Sequence, residues 1–140
     1  MTAWMNLGQQ LKINAKKYPD KPALKDKSRS FTFSDTNRRV NQLANGLTGL
    51  GLTQGDKVAV MMDNSIEIVE LYMATAKTGI IIVPINFRLV SREVAYIVDN
   101  SDAKALFVQD TLAAVIDPIR TTLNNISPEN YFTTGEPRDD

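Results

Sequence analysis

Four consecutive β-branched residues, Ile80-Ile81-Ile82-Val83, stand between Gly79 and Pro84. A run this apolar and this stiff at χ1 suits a strand, and the absence of alternation suits one buried on both faces of a parallel sheet. Parallel strands need crossover connections, so helical segments should stand on either side of the run. They do. Ile66, Val69, Met73 and Ala76 recur at helical spacing before it, with Gly79 closing the helix, and Val94, Ile97 and Val98 recur after it. Lys57–Met62 and Ala105–Val108 are short apolar segments that read as two further strands. From Gly55 onward the predicted order is strand, helix, strand, helix, strand, and right-handed crossovers make that a parallel, helix-covered sheet.

The first half of the chain is patterned differently. Trp4, Leu7, Leu11, Ala15 and Tyr18 trace a helical stripe that Pro19 ends. Ala23–Lys25 and Arg29–Phe33 flank the polar stretch Asp26-Lys27-Ser28 and predict a hairpin. Ser34 is the expected N-cap of a second helix carrying Val40, Leu43, Ala44, Leu47 and Leu50, with Gly51 as a left-handed C-cap. Asn64 and Glu67 have capping-box spacing, and Ser91 is placed to cap the helix that follows it. In the last segment Leu112, Val115, Ile116, Ile119 and Leu123 are helical in spacing but interrupted by Pro118. A final strand is expected at Tyr131–Thr133, with a frayed end from Gly135 to Asp140. The fold class is therefore α/β, a largely parallel sheet with a short N-terminal hairpin, in one domain spanning residues 1–140.

Composition narrows the chemistry. The chain has neither Cys nor His, which removes thiol nucleophiles, disulfides and the commonest neutral-pH base and metal ligand. Lys+Arg equals Asp+Glu at 16 each, so no nucleic-acid partner is called for. The charge is uneven, with nine Lys/Arg against three Asp in residues 1–50, and reads as a solvated helix face and turn. No run approaches the ~20 apolar residues of a membrane span, and no secretory signal opens the chain, so a cytoplasmic protein is expected.

Several residues invite a functional reading and none carries it. The glycines at 46, 49, 51 and 55 close a helix and lead into a strand, the reverse of a dinucleotide fingerprint. Asp63 ends a strand, where a receiver-like module would keep its phospho-acceptor, but no acidic pair precedes it. Arg88 has no second convergent group. Glu67 and Glu70 sit on adjacent faces of one helix start with no partner to tune either. No catalytic, cofactor-binding or metal-binding residue is assigned.

In order along the chain, four segments resemble the adenylate-forming enzymes: acyl-CoA synthetases, luciferases and peptide-synthetase adenylation domains. Tyr18-Pro19-Asp20-Lys21-Pro22-Ala23-Leu24 is similar to their opening stretch. Phe31-Thr32-Phe33-Ser34-Asp35-Thr36 resembles their first core motif, with Thr36 where Leu is usual. Gly55-Asp56-Lys57-Val58-Ala59-Val60 matches a strand entry, and Ala76–Asn86 resembles the second core motif. The resemblance runs from about Leu7 to Asp110, and the run Pro84-Ile85-Asn86-Phe87-Arg88-Leu89, with Asn86 where the peptide synthetases usually place Asp, looks more like the fatty-acyl and aryl CoA ligases. It implies an ATP-dependent acid–CoA ligase, forming an acyl-adenylate and then a thioester, on a medium- or long-chain fatty acid. ATP, magnesium and coenzyme A are implied for the whole enzyme and none for this segment, because the family's Gly/Ser/Thr-rich loop, ribose Asp and C-terminal Lys are not matched here; Thr133–Arg138 only mimics the loop. The chain is then an N-terminal piece, inactive alone. Its partner is the remainder of the ligase, and its cut sheet edge or apolar face should favour dimers. The competing readings are a standalone non-catalytic α/β binding or receiver-like module, and a natural short relative kept for docking.

Overall fold

The computed structural model describes residues 6–135; Trp4 and residues 136–140 lie outside them. The chain forms two compact units, one from residues up to Gly55 together with Ser65–Ile80, the other from Asp56–Asn64 together with Ile81 onward.

The first unit holds three helices and a hairpin. Helix α1 (Leu7–Lys17) starts at Asn6, whose side chain accepts the Gln9 N–H, and stops at Tyr18 ahead of Pro19. Its buried positions are Gly8 and Leu11, whereas Leu7 is 84% exposed. The stripe is thus rotated from the expected one, because α1 docks through Gly8: a Cβ there would meet the Lys77 Cα at 2.6 Å. Strands β1 (Pro22–Lys25) and β2 (Ser30–Thr32) pair antiparallel as the expected hairpin. Asp26 accepts the N–H groups of Ser28 and Arg29 at its turn. Helix α2 (Phe33–Gly49) is capped by Thr32, not Ser34: the Thr32 Oγ1 accepts the Asp35 N–H at 3.1 Å. The hydroxyl two residues earlier wins because the helix already begins at Phe33. Thr36, Val40, Ala44 and Leu47 are buried, while Leu50 lies past the last turn and is exposed. Gly51 takes the left-handed conformation (φ 82°) just beyond, as expected.

Helix α3 (Ile66–Thr78) starts from Ser65, whose Oγ accepts the Ile68 N–H; the Asn64–Glu67 capping box does not form. Its buried residues are Ile66, Glu70, Leu71, Ala74 and Thr75, and Gly79 closes it at φ 75°. The three helices pack on one another.

The second unit is built on a four-stranded, wholly parallel sheet in the order β4-β3-β5-β6. The strands are β3 (Lys57–Met61), β4 (Ile81–Pro84), β5 (Ala103–Gln109) and β6 (Tyr131–Thr134). On one face Ala59 and Met61 of β3 and Leu106 and Val108 of β5 pack with Val94 and Val98 of α4 (Ser91–Ser101). Ile116, Ile119, Leu123 and Ile126 extend the same cluster. Pro118 cuts the last helix down to α5 (Ala113–Ile116), so Ile119, Leu123 and Ile126 enter the core from turns and irregular chain. Ser91 is the first residue of α4 and not its cap; the cap is Val90, whose N–H donates to Glu93 Oε2.

Burial on both faces belongs to β3 and β5, where Val58, Val60 and Ala105 are as buried as their neighbours. It does not belong to β4, which is an edge of the described sheet with Ile81 47% exposed. The N–H groups of Ile81 and Ile85 point toward β3, donating to Asp56 O and Val60 O. By alternation Ile82 and Pro84 face outward, and Pro84 has no N–H to offer.

Candidate functional site

Strand order reverses at the β3–β5 pair: one crossover leads from β3 out to β4, and the next returns past β3 to β5. In open parallel sheets ligands gather outside the carboxyl ends of the strands at such a point. Here those ends are Met62-Asp63-Asn64 and Gln109-Asp110-Thr111. Gln109 ties them together. Its Oε1 accepts the Asp63 N–H at 2.9 Å and its Nε2 donates to Thr111 Oγ1 at 3.0 Å. The Asp63 carboxylate turns back to accept the Asn64 N–H, and the Asp110 carboxylate accepts that of Thr111. Asp63 is exposed, and among the described residues no group of three His, Cys, Asp or Glu could hold a metal.

Gly135 (φ 113°) packs so closely on Asp110 that a Cβ would meet its Oδ2 at 2.6 Å. The Gly135 backbone thus runs beside the Asp110 carboxylate. The remaining mimic residues, 136–138, lie outside the described residues.

Beside this edge a cleft of about 130 Å³ opens between α5, the turn after it and β6, lined by Val108, Ile116, Asp117, Arg120, Tyr131 and Thr133 among others. Tyr131 donates its hydroxyl to the Arg120 carbonyl at 2.9 Å, and the Arg120 guanidinium lies 5.1 Å from its ring centre. Burial pushes the Tyr131 phenol above its ordinary pKa. Val108, Ala113 and Ile116 give it an apolar floor, and Asp117 and Arg120 a charged rim.

Arg88 is exposed. Its N–H donates to Asn86 Oδ1 and its guanidinium lies over the Phe87 ring, with no convergent anion site. Glu67 and Glu70 do have partners, contrary to the reading of α3 by itself. Arg39 grips Glu70 with Nε and Nη2 at 2.5 and 2.9 Å, and its guanidinium lies over the Phe31 ring. Glu70 is only 5% exposed, so the pair fixes the hairpin and α2 to α3 rather than serving as an acid or base. Arg29 links Asp26 in the hairpin turn to Glu67. That hydrogen bond holds the Glu67 carboxyl below its usual pKa, while the turn N–H groups of Ser28 and Arg29 hold Asp26 down to about 2.

Lys77, inside the second motif, donates to Asn37 Oδ1 and Asn41 Oδ1 at 2.7 and 2.6 Å. Burial lowers its pKa, with Lys12 adding to the effect. The four quoted segments thus fall on the α1–β1 connection, the β2–α2 entry, the turn into β3, and the α3–β4 connection, where they shape backbone.

The model of the AMP-binding enzyme family matches residues 11–137, nearly the whole chain. The chain belongs to that family. Among its relatives in the family, the long-chain-fatty-acid–CoA ligase FadD13 of Mycobacterium tuberculosis is 38% identical over 117 residues, 82% of this chain and 23% of that protein. The fatty acid–[acyl-carrier-protein] ligase ScoC of Streptomyces coeruleorubidus is 31% identical over 130 residues, 93% of this chain and 24% of its own length. The anthranilate CoA ligase AuaEII, solved in complex with anthranoyl-AMP, superimposes with a TM-score of 0.91 at 30% identity, covering 99% of this chain and 27% of that one. The chain spans about a quarter of the length of the curated relatives it matches.

Proposed function

We propose that this chain is the scaffold quarter of an ATP-dependent acid–thiol ligase that acts in the cytoplasm. The ligase converts a medium- or long-chain fatty acid to its adenylate and passes the acyl group to coenzyme A. The observation that carries the reading is the match over residues 11–137 to a family whose members similar to this chain include fatty-acid ligases. The 140 residues form part of one larger domain, and they supply no catalytic, nucleotide-binding or metal-binding group. ATP, magnesium and coenzyme A are held by other parts of the ligase, which carry the Gly/Ser/Thr-rich loop that these residues do not match. Self-association of the isolated chain belongs to the same reading, and the β6 edge is its route. No observation favours the receiver-like alternative: among the described residues no acidic cluster surrounds Asp63.

The test is ATP–pyrophosphate exchange with dodecanoate. The 140-residue chain alone should show none. A chimera in which it replaces the corresponding quarter of FadD13 should exchange, with the host's acyl-chain preference intact. Exchange by the isolated chain would refute the scaffold assignment. An altered preference in the chimera would place acyl-selecting residues within these 140.

A further inference from the structure

The geometry of the cleft between α5 and β6 points to a binding site for a small monocarboxylate with a compact apolar body. The carboxylate would sit on Arg120 and the body on the floor below it. The space sets the size. The cleft measures about 130 Å³, and an engineered apolar cavity of about 150 Å³ holds a benzene ring. One small ring or a short branched chain therefore fits. A long alkyl chain does not, so this is not the acyl pocket of the proposed ligase, and the inference stands apart from that reading. Val108, Ala113 and Ile116, all buried, supply the floor. Val108 and Ile116 belong to the sheet core as well, which makes the floor rigid. Phe132 also lines the cleft and is fixed by its stack on Phe107, with ring centres 4.8 Å apart.

Arg120 supplies the charge, and Tyr131 holds it twice. The ring lies 5.1 Å beneath the guanidinium, and the hydroxyl donates to the Arg120 carbonyl at 2.9 Å. Burial raises the pKa of that phenol, so it stays protonated and goes on donating. A guanidinium packed over a ring keeps its N–H edges available for a planar anion. Arg29, Arg38 and Arg39 commit those edges to carboxylates, whereas no ion pair among the described residues includes Arg120. Asp117, on the same rim, has an interaction of its own. The cleft thus sets a cationic fork above an apolar floor. A carboxylate matches the fork in two parallel hydrogen bonds, and an apolar body takes the floor out of water. A neutral ring would leave the guanidinium unmatched, and inorganic phosphate would leave the floor wet. Once bound, the ligand touches both α5 and β6 and pins the edge strand.

The experiment is a titration of the 140-residue chain with cyclohexanecarboxylate, followed by two-dimensional amide NMR, and in parallel with the neutral cyclohexanecarboxamide. The acid should shift the amides of Val108, Ala113, Ile116 and Tyr131–Thr133. The amide should bind about tenfold more weakly, because it lacks the charge-assisted hydrogen bonds. Arg120→Gln should weaken the acid by about tenfold, to the level of the amide, while keeping the main-chain carbonyl that Tyr131 needs. Arg120→Lys, with the charge but not the fork, should recover only part of that loss. Position 120 is exposed, and unchanged amide shifts away from the cleft confirm that both variants are folded. No shift at the cleft, equal affinity for acid and amide, or an Arg120→Gln variant that binds the acid like the parent overturns the proposal. Shifts centred on the lysines of α1 also overturn it and make the acid a general counter-ion.

Discussion

Each of the two units of this chain is stabilised internally by different physics. The sheet unit relies on shape: Ala59, Met61, Leu106, Val94 and Val98 have no exposed surface, and no charge enters that cluster. The helix-and-hairpin unit relies in part on charge. It buries Glu70 and clamps it with Arg39, joins Asp26 to Glu67 through Arg29, and leaves the Thr36 hydroxyl buried without a hydrogen-bond partner among the described residues. An apolar core tolerates swaps that keep volume, whereas a polar one fails when a single partner is lost. The first kind of packing is generic and the second is specific to these residues.

Truncation of the sheet core should produce the largest effect. Leu106→Ala removes a side chain with no exposed surface and should cost about 3 kcal/mol. Urea titration followed by hydrogen exchange should show the loss concentrated in β3 and β5, with the hairpin amides little changed. If hairpin and sheet amides lose protection equally, the units are not energetically separable. Next comes Arg39→Ala. It strands a buried carboxylate, but Arg39 is itself 35% exposed, so the cost should be about 2 kcal/mol, below that of a fully buried pair. Here the hairpin β1–β2 should lose protection first, and preserved hairpin protection would dismiss the clamp. The smallest effect has the opposite sign. Thr36→Val keeps the volume and removes the unsatisfied hydroxyl, and should raise stability by about 1 kcal/mol, read as a higher melting temperature. A destabilised Thr36→Val would mean that the hydroxyl has a bonding role.

These differences also explain what could be read from the residues alone. The parallel sheet, its strand order along the chain, the hairpin and the helix ends at Gly51 and Gly79 follow from local pattern, and local pattern is what sequence displays. Caps slipped by one or two positions because Thr32 and Ser34, or Asn64 and Ser65, offer nearly the same oxygen to the same helix. The Arg39–Glu70 and Arg29–Glu67 pairs join residues 31 and 38 apart, so nothing in the helix containing the glutamates announces them. Ile80–Val83 was legible as a parallel strand but not as an edge, since composition reports apolarity and not which neighbour supplies the cover. At the carboxyl edge, Asp63 was visible as a strand end; its tether to Gln109 spans 46 residues and was not.

Pro84 matters most before the protein is finished. On a crowded polysome, half-made copies of the same chain emerge side by side, each with strands awaiting their neighbours. A strand arriving on the outer side of β4 would find one amide hydrogen, that of Ile82, where a ladder needs a repeating series. The flank of the sheet that leaves the ribosome first is therefore poor seed material for fibrils. The later flank, Tyr131–Thr134, has neither a proline nor a charge to discourage a stranger.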